Sequence, residues 1–187
     1  LVRTTVVNDS TPDNNETFTL TVTPTGGTAV VGTATIKDDG TGDVYTATGA
    51  TDPSAAKNND ITVTSPTVNE ASQYAVFTVG VTSGQNLTLA LANGTATGGT
   101  TTPTNGTVDF ASNALAYSLD NGTTWTSYTG AFNATLTGGA TALLVRTTVV
   151  NDSTPDNNET FTLTVTPTGG TAVVGTATIK DDGTGDV

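Results

Sequence analysis

Leu144 to Val187 reads LVRTTVVNDSTPDNNETFTLTVTPTGGTAVVGTATIKDDGTGDV, and Leu1 to Val44 reads the same. The second copy therefore starts 143 residues after the first. A period of that length is a whole domain rather than a solenoid unit. Inside the copy, Phe161, Leu163 and Val165 alternate with threonine from Thr160 to Thr166, and Ala177 and Ile179 alternate within Gly175 to Lys180. Period-two alternation marks strands with one face inward. The chain reads as one full repeat preceded by a second copy of its C-terminal part, and its parent as a tandem array.

Outward from that segment, the same alternation places the other strands. Ile61 and Val63 open one that ends near Glu70, and Tyr74 to Thr82 sets Phe77, Val79 and Val81 on one face. Leu87, Leu89 and Leu91 form another, followed by an Asn93-Gly94 turn. Val108 to Phe110, Leu115 to Leu119 and Thr124 to Tyr128 are shorter, the last two split by the hairpin signal Asp120-Asn121-Gly122. Leu143 to Val150 precedes an acidic turn. Strands at turn-punctuated spacing without a helical period predict an all-β, Greek-key, immunoglobulin-like two-sheet sandwich. The expected organisation is residues 1–39 as the last strands of a preceding repeat, a Gly-, Asp- and Asn-rich linker at 40–60, and a full repeat at 61–187. Residues 1–44 are competent to complete the sheets of a neighbour or to compete for residues 61–143. The local copy is expected to win, because its loop closure costs less.

Composition narrows function. The 187 residues hold no cysteine, histidine or methionine. Disulfides, thiolate metal sites and every Ser-His or Cys-His arrangement are thereby excluded. Five basic residues against seventeen acidic ones give a net charge of −12. No basic footprint for nucleic acid or an anionic membrane surface can be assembled from that balance. An acidic excess suits solubility under crowding and the binding of hard cations. No apolar run is long enough to span a bilayer. The chain is expected to begin mid-repeat, so the absence of a leader pattern at its start is uninformative about secretion.

The carboxylates sit where strands end. Glu70 closes the first strand, Asp109 precedes Phe110, and Asp152, Asp156 and Glu159 fall in NDSTPDNNET. Asp181 and Asp182 follow the last strand. A Greek-key sandwich brings several such turns to one end. Like charges about 4 Å apart repel by roughly 4 kcal/mol at an effective dielectric near 20, so a cluster of them needs neutralising. Ca²⁺, oxygen-seeking and tolerant in geometry, is the cation that fits; Mg²⁺ demands a tighter octahedron. The alternative is that these are solvated turn residues, since Asp and Asn favour turns.

Five features together resemble a Calx-β domain across roughly residues 60–182. They are Val68-Asn69-Glu70, GTAT at Gly94 to Thr97, Asp109-Phe110, the acidic turn from Asp152 to Phe161, and ATIKDD at Ala177 to Asp182. LAYSLDNGTTWTSY, Leu115 to Tyr128, is similar to repeats of giant RTX-type bacterial adhesins. The resemblance implies calcium ligands at Glu70, Asp109, Asp152, Asp156, Glu159, Asp181 and Asp182. It implies an extracellular, cell-surface extender for attachment or biofilm formation, with adjacent repeats and calcium ions as partners. Two departures bear on the number of ions: the terminal run is Asp-Asp-Gly, and the stretch from Thr97 to Asp109 is expanded. The leading copy keeps Asp9, Asp13, Glu16, Asp38 and Asp39 but lacks counterparts of Glu70 and Asp109.

Two other functions compete with the extender. Threonine rows such as Thr160 to Thr166 match an ice-binding pattern, and Trp125 with Tyr128 matches a sugar-stacking one. Threonine is also a good outward-facing strand residue, and an aromatic beside a hairpin is commonly a packing anchor. Glycoside hydrolysis needs a carboxylate pair in a cleft, and no cleft is marked, so an enzyme is not expected.

Overall fold

In the computed structural model the chain is described except for residues 10, 13 and 101–106. Thr62–Val63 (β3), Tyr74–Gly80 (β5), Ala116–Ser118 (β9), Thr126–Ser127 (β10) and Leu143–Thr148 (β12) form one sheet, in the order β10-β9-β12-β5-β3. Thr67–Asn69 (β4), Asn86–Asn93 (β6), Phe132–Asn133 (β11), Glu159–Pro167 (β13) and Val173–Lys180 (β14) form the other, in the order β11-β6-β13-β14-β4. Gly98–Gly99 (β7) and Phe110–Ala111 (β8) make a short parallel pair. A separate hairpin, Thr17–Val22 (β1) with Val30–Thr35 (β2), lies in the leading copy. Strands cross repeatedly between the two five-stranded sheets, giving an all-β sandwich. No helix among the described residues is long and apolar enough to cross a membrane.

Alternation does what it predicts. Ala75, Phe77 and Val79 of β5 share the buried core with Phe161, Leu163 and Val165 of β13; threonines take the outward positions of β13, and Val76 and Thr78 those of β5. Phe161 is the hub: it stacks on Phe110 with centroids 4.2 Å apart and meets the edge of Phe77 at 5.9 Å. Offset and edge-on aromatic pairs contribute about 1 kcal/mol each beyond the area they bury.

The first predicted strand divides in two. Between β3 and β4 stands Ser65-Pro66, where proline supplies no N–H to a ladder. The chain uses this break to change sheets: β3 pairs with β5, then β4 runs parallel to β14. The crossing brings the Thr64 carbonyl and Val63 so close to Gly175 that a side chain there has no room. The free edge of β4 is covered by the chain's own return, with Asn69 N–H donating to the Asp186 carbonyl at 2.7 Å. A covered edge cannot template the pairing of a stray strand.

The Asp120-Asn121-Gly122 signal is a tight turn with Asn121 and Gly122 both at positive φ. Its Asp120 carboxylate accepts from Ser118 and Thr124, which lowers it from the ordinary aspartate value, Thr124 contributing most. Trp125 folds back on this turn, donating to the Gly122 carbonyl at 3.1 Å, and Arg146 lies between its ring and that of Tyr74 at 3.9 Å from each centroid. Tyr128 is half-buried against Phe132, its hydroxyl accepting from Leu89 N–H. Both aromatics anchor packing.

Residues 144–187 occupy the sandwich with 61–143, and the leading copy stands as the β1–β2 hairpin. The intervening stretch is tied at several points: Tyr45 bridges Thr51, Gly40 N–H donates to the Asn58 carbonyl at 2.7 Å, and Asn59 donates to the Thr168 carbonyl at 2.9 Å.

Candidate metal centre

One end of the sandwich collects the ends of β4 and β14, the start of β13, the segment before β8 and the turn after β12. Each element delivers a carboxylate. Glu70 follows β4, with its N–H on the Lys180 carbonyl at 2.7 Å, so it is pinned beside the end of β14 where Asp181 begins. Asp109 is held by Thr97: Thr97 N–H donates to Asp109 Oδ2 at 2.6 Å, and Asp109 N–H returns to the Thr97 carbonyl. Glu159 opens β13 next to Asn158, whose positive φ turns the chain from the acidic loop into the strand.

Two groups of carboxylate oxygens result, each with its atoms within 4.8 Å of one another: Glu70 with Asp156 and Asp181, and Asp109 with Asp156 and Glu159. Asp156 belongs to both, so the five side chains form one continuous acidic site. Glu70 and Asp109 are buried, Asp156 and Glu159 half-buried, and Asp181 exposed, so the site opens to solvent on the Asp181 side.

The remaining two predicted ligands stand differently. Asp152 lies beside the site rather than in either group: its N–H donates to Glu70 Oε1 at 2.9 Å and its Oδ1 accepts from Thr154 N–H. Its Oδ2 is buried with no hydrogen-bond partner. Asp182 points away, with Oδ2 accepting from Asn157 and Oδ1 from Thr184 N–H at 3.0 Å. Thr184 first, then Asn157, hold its carboxyl at about 2. The Asp-Gly-Thr sequence carries this signal, since Asp favours a bond to the backbone two residues on. Thr97, the end of the GTAT segment, supports the site by holding Asp109, and Asn157, which the sequence did not single out, supports it by accepting from Asp181 N–H through its side-chain oxygen at 3.3 Å.

Electrostatically the site is uncompensated. None of its carboxylates has a salt bridge among the described residues; the one such pair, Lys37 with Asp39 at 3.9 Å, is in the leading copy. Burial and then the neighbouring Asp181 charge push Glu70 up to about 6. Burial and then the Asp109 carboxylate push Glu159 up to about 7. Asp156 is raised by burial and by Asp109, Asp152 and Asp181. Crowded carboxylates with raised affinity for protons also have raised affinity for any cation that can replace them. The donor set is all oxygen, and Asp152 Oδ2 is a buried acceptor without a donor. Both features fit a hard divalent ion.

The leading copy shows which parts of this end are local. Asn15 repeats the positive φ of Asn158, Lys37 donates to Asn15 as Lys180 does to Asn158, and Asp39 accepts from Thr41 and Asn14 as Asp182 does from Thr184 and Asn157. Asp9 likewise accepts from Thr11 N–H as Asp152 does from Thr154. These turns form without a sandwich around them. The acidic groups do not: among the described residues none is found in the leading copy, where Asp13 lies outside them.

No family model matches the chain, and no curated protein matches it in sequence. Among solved structures it is similar to a crystal structure of calcium binding domain CBD12 of CALX1.1, at 16% identity over 65% of this chain with a TM-score of 0.42. It is also similar to the apo-form Calx CBD1 domain, at 15% identity, 65% of this chain, 96% of that one and a TM-score of 0.40. The chain spans 45% of the length of the CBD12 structure.

Proposed function

We propose that this chain is part of a calcium-stiffened extender: a tandem β-sandwich array on a bacterial cell surface that holds a distal binding domain away from the cell, for attachment or biofilm formation. The observation that carries the reading is the convergence of Glu70, Asp109, Asp156, Glu159 and Asp181 into one uncompensated site at the end of the sandwich. Those five would hold the ion, with Asp152 at its margin. Bound Ca²⁺ would supply the positive charge that the site lacks and fasten four separate chain segments to each other.

Identical 44-residue copies one domain apart support the tandem array. A nine-residue strand such as β13 at about 3.3 Å per residue makes each sandwich roughly 30 Å long. Reach then scales with copy number, and no repeat needs chemistry of its own. The half-buried Trp125 and Tyr128 are engaged within the fold, so they do not favour a sugar-binding module.

Thermal unfolding of the full chain in EGTA, in millimolar Ca²⁺ and in millimolar Mg²⁺ tests the reading. Ligand at a hundredfold its Kd stabilises by about 2.7 kcal/mol. At about 3 °C per kcal/mol for a chain of this size, the expected rise is roughly 8 °C in Ca²⁺ and much less in Mg²⁺. Coincident melting curves in all three buffers would remove calcium from the proposal.

A further inference from the structure

Residues 40–60 have the Gly-, Asp- and Asn-rich composition of a flexible linker, yet one dipeptide near their end is held from both sides. Asn59 is 8% exposed and Gln85 3%. A buried amide without a hydrogen bond costs about 1–3 kcal/mol, so buried amides have partners, and these do. Asn59 Nδ2 donates to the Thr168 carbonyl at 2.9 Å, and Asn59 Oδ1 accepts from Gln85. Gln85 in turn donates to the Asp60 carbonyl at 3.3 Å and accepts from Thr82 N–H at 2.7 Å. One side chain thus spans the β5–β6 and β13–β14 turns, both at the entry end of the sandwich.

The residue before it takes hold of the leading copy. The Asn58 carbonyl accepts from Gly40 N–H at 2.7 Å, and its side chain donates to Asn8. Two glycines let the backbones close on this dipeptide. Gly40 has φ +75°, where a side chain is strained, and an added Cβ would stand 3.2 Å from Asn59 Nδ2. At Gly170 an added Cβ would stand 3.1 Å from the Asn59 carbonyl oxygen. Both belong to the duplicated residues, as Gly40 with Gly183 and Gly27 with Gly170, so both copies carry an exit glycine and an entry turn. We propose that Asn58-Asn59 is an inter-repeat junction: the exit end of one repeat docks on the entry end of the next through these amides, which fix how the two are oriented. The partner is a second copy of the repeat, and the proposal rests on the tandem-array reading above. No carboxylate side chain belongs to the set, and neutral amides neither titrate near neutral pH nor need an ion. Stiffness within a repeat and stiffness between repeats then have different chemical origins, an ion for the first and amides for the second.

The test reads orientation directly. Thr35→Cys and Ala90→Cys place spin labels at the end of β2 and on the outer face of β6; the chain has no native cysteine, so these are the only attachment points. Pulsed dipolar distances on the full chain in EGTA should give one narrow peak. Gly40→Val, outside the sandwich, should abolish that peak and leave the main thermal transition at its wild-type temperature. Asn59→Asp, which sets a carboxylate oxygen against the Thr168 carbonyl, should abolish the peak and also lower the melting temperature. Four results overturn the junction: a broad distribution in the labelled wild type, one that narrows only on adding Ca²⁺, a peak that survives either substitution, or a fall in the main transition with Gly40→Val. The calcium reading fails separately. A narrow peak in EGTA, with no rise in melting temperature on adding Ca²⁺, removes the ion from the function and leaves the junction standing.

Discussion

Glu159 and Glu70 carry the pH behaviour of the metal-free protein. Both carboxyls are raised, to about 7 and about 6, against an ordinary glutamate value of 4.5. Between those values the folded state holds protons that the unfolded chain has released, so stability is full below pH 4.5 and is lost as pH rises through 6 and 7. Stripped of metal and kept in metal-free buffers, the protein should therefore melt at a higher temperature at pH 5 than at pH 8. A bound divalent ion favours the ionised carboxylates and should flatten or reverse that order; a metal-free profile that rises from pH 5 to 8 contradicts the raised values. Asp156 concentrates the same effect, because it is common to both acidic groups. Asp156→Asn should stabilise the metal-free protein by about 1 kcal/mol, allowing for screening at a half-buried site, and should remove most of the Ca²⁺ response. Melting curves of the variant with and without Ca²⁺ check both signs at once. At this scale the sequence was only partly legible. Carboxylates at strand ends were visible, but nothing in NDSTPDNNET orders Asp152 beside the site and Asp156 at its centre. That choice depends on Glu70, eighty-two residues earlier, accepting the Asp152 N–H.

At the scale of elements, one residue occurs twice in identical hairpins with different surroundings. Gly175 sits where β14 passes the Thr64 carbonyl, Val63 and the Phe77 ring, and an added methyl collides with the first two and crowds the third. Gly32, its counterpart in β2, has nothing within 4 Å of the same position. Gly175→Ala should cost about 1–3 kcal/mol, in the range of overpacking, and Gly32→Ala should stay within about 0.5 kcal/mol. Denaturant melts of the two variants measure the difference, and equal costs would show that close approach at β14 is not what requires the glycine. The strands themselves were readable because alternation reports one buried face directly, as in Phe161, Leu163 and Val165. Where pairing is short or depends on a distant partner, alternation is silent. Phe132–Asn133 joins the sheet through two residues against Leu87 and Asn86, and the run from Ile61 to Glu70 divides at Pro66 between two sheets. A period of two cannot say which sheet a strand belongs to.

For the whole molecule, the direction of the chain through the sandwich matters most. It enters just after Asn59, which lies against Gly170 in the turn between β13 and β14, and leaves past Lys180 at the acidic end. In the leading copy the corresponding end meets residues further along the chain: Gly40 lies against Asn59, and Asp38 is buried where its counterpart Asp181 is exposed. Entry and exit therefore lie at opposite ends of the sandwich.

The parallel pairing of β4 with β14 has a mechanical consequence. A repeat tethered at both ends is pulled at the start of β3–β4 and at the end of β14, along the strands and in opposite directions. Once the short return at Thr184 to Asp186 peels off, the Pro66–Thr178 and Glu70–Lys180 hydrogen bonds are loaded together in shear, not broken one after another. Single-molecule pulling through the ends of the repeat should give a higher rupture force than pulling through handles at the paired residues Thr160 and Thr178, at the open end of the β13–β14 hairpin, which part its strands like a zipper. Equal forces would refute the shear geometry. Any ion held between Glu70 and Asp181 would sit at the loaded end of that pair of strands, so a chelator would also act as a way to loosen the molecule under tension.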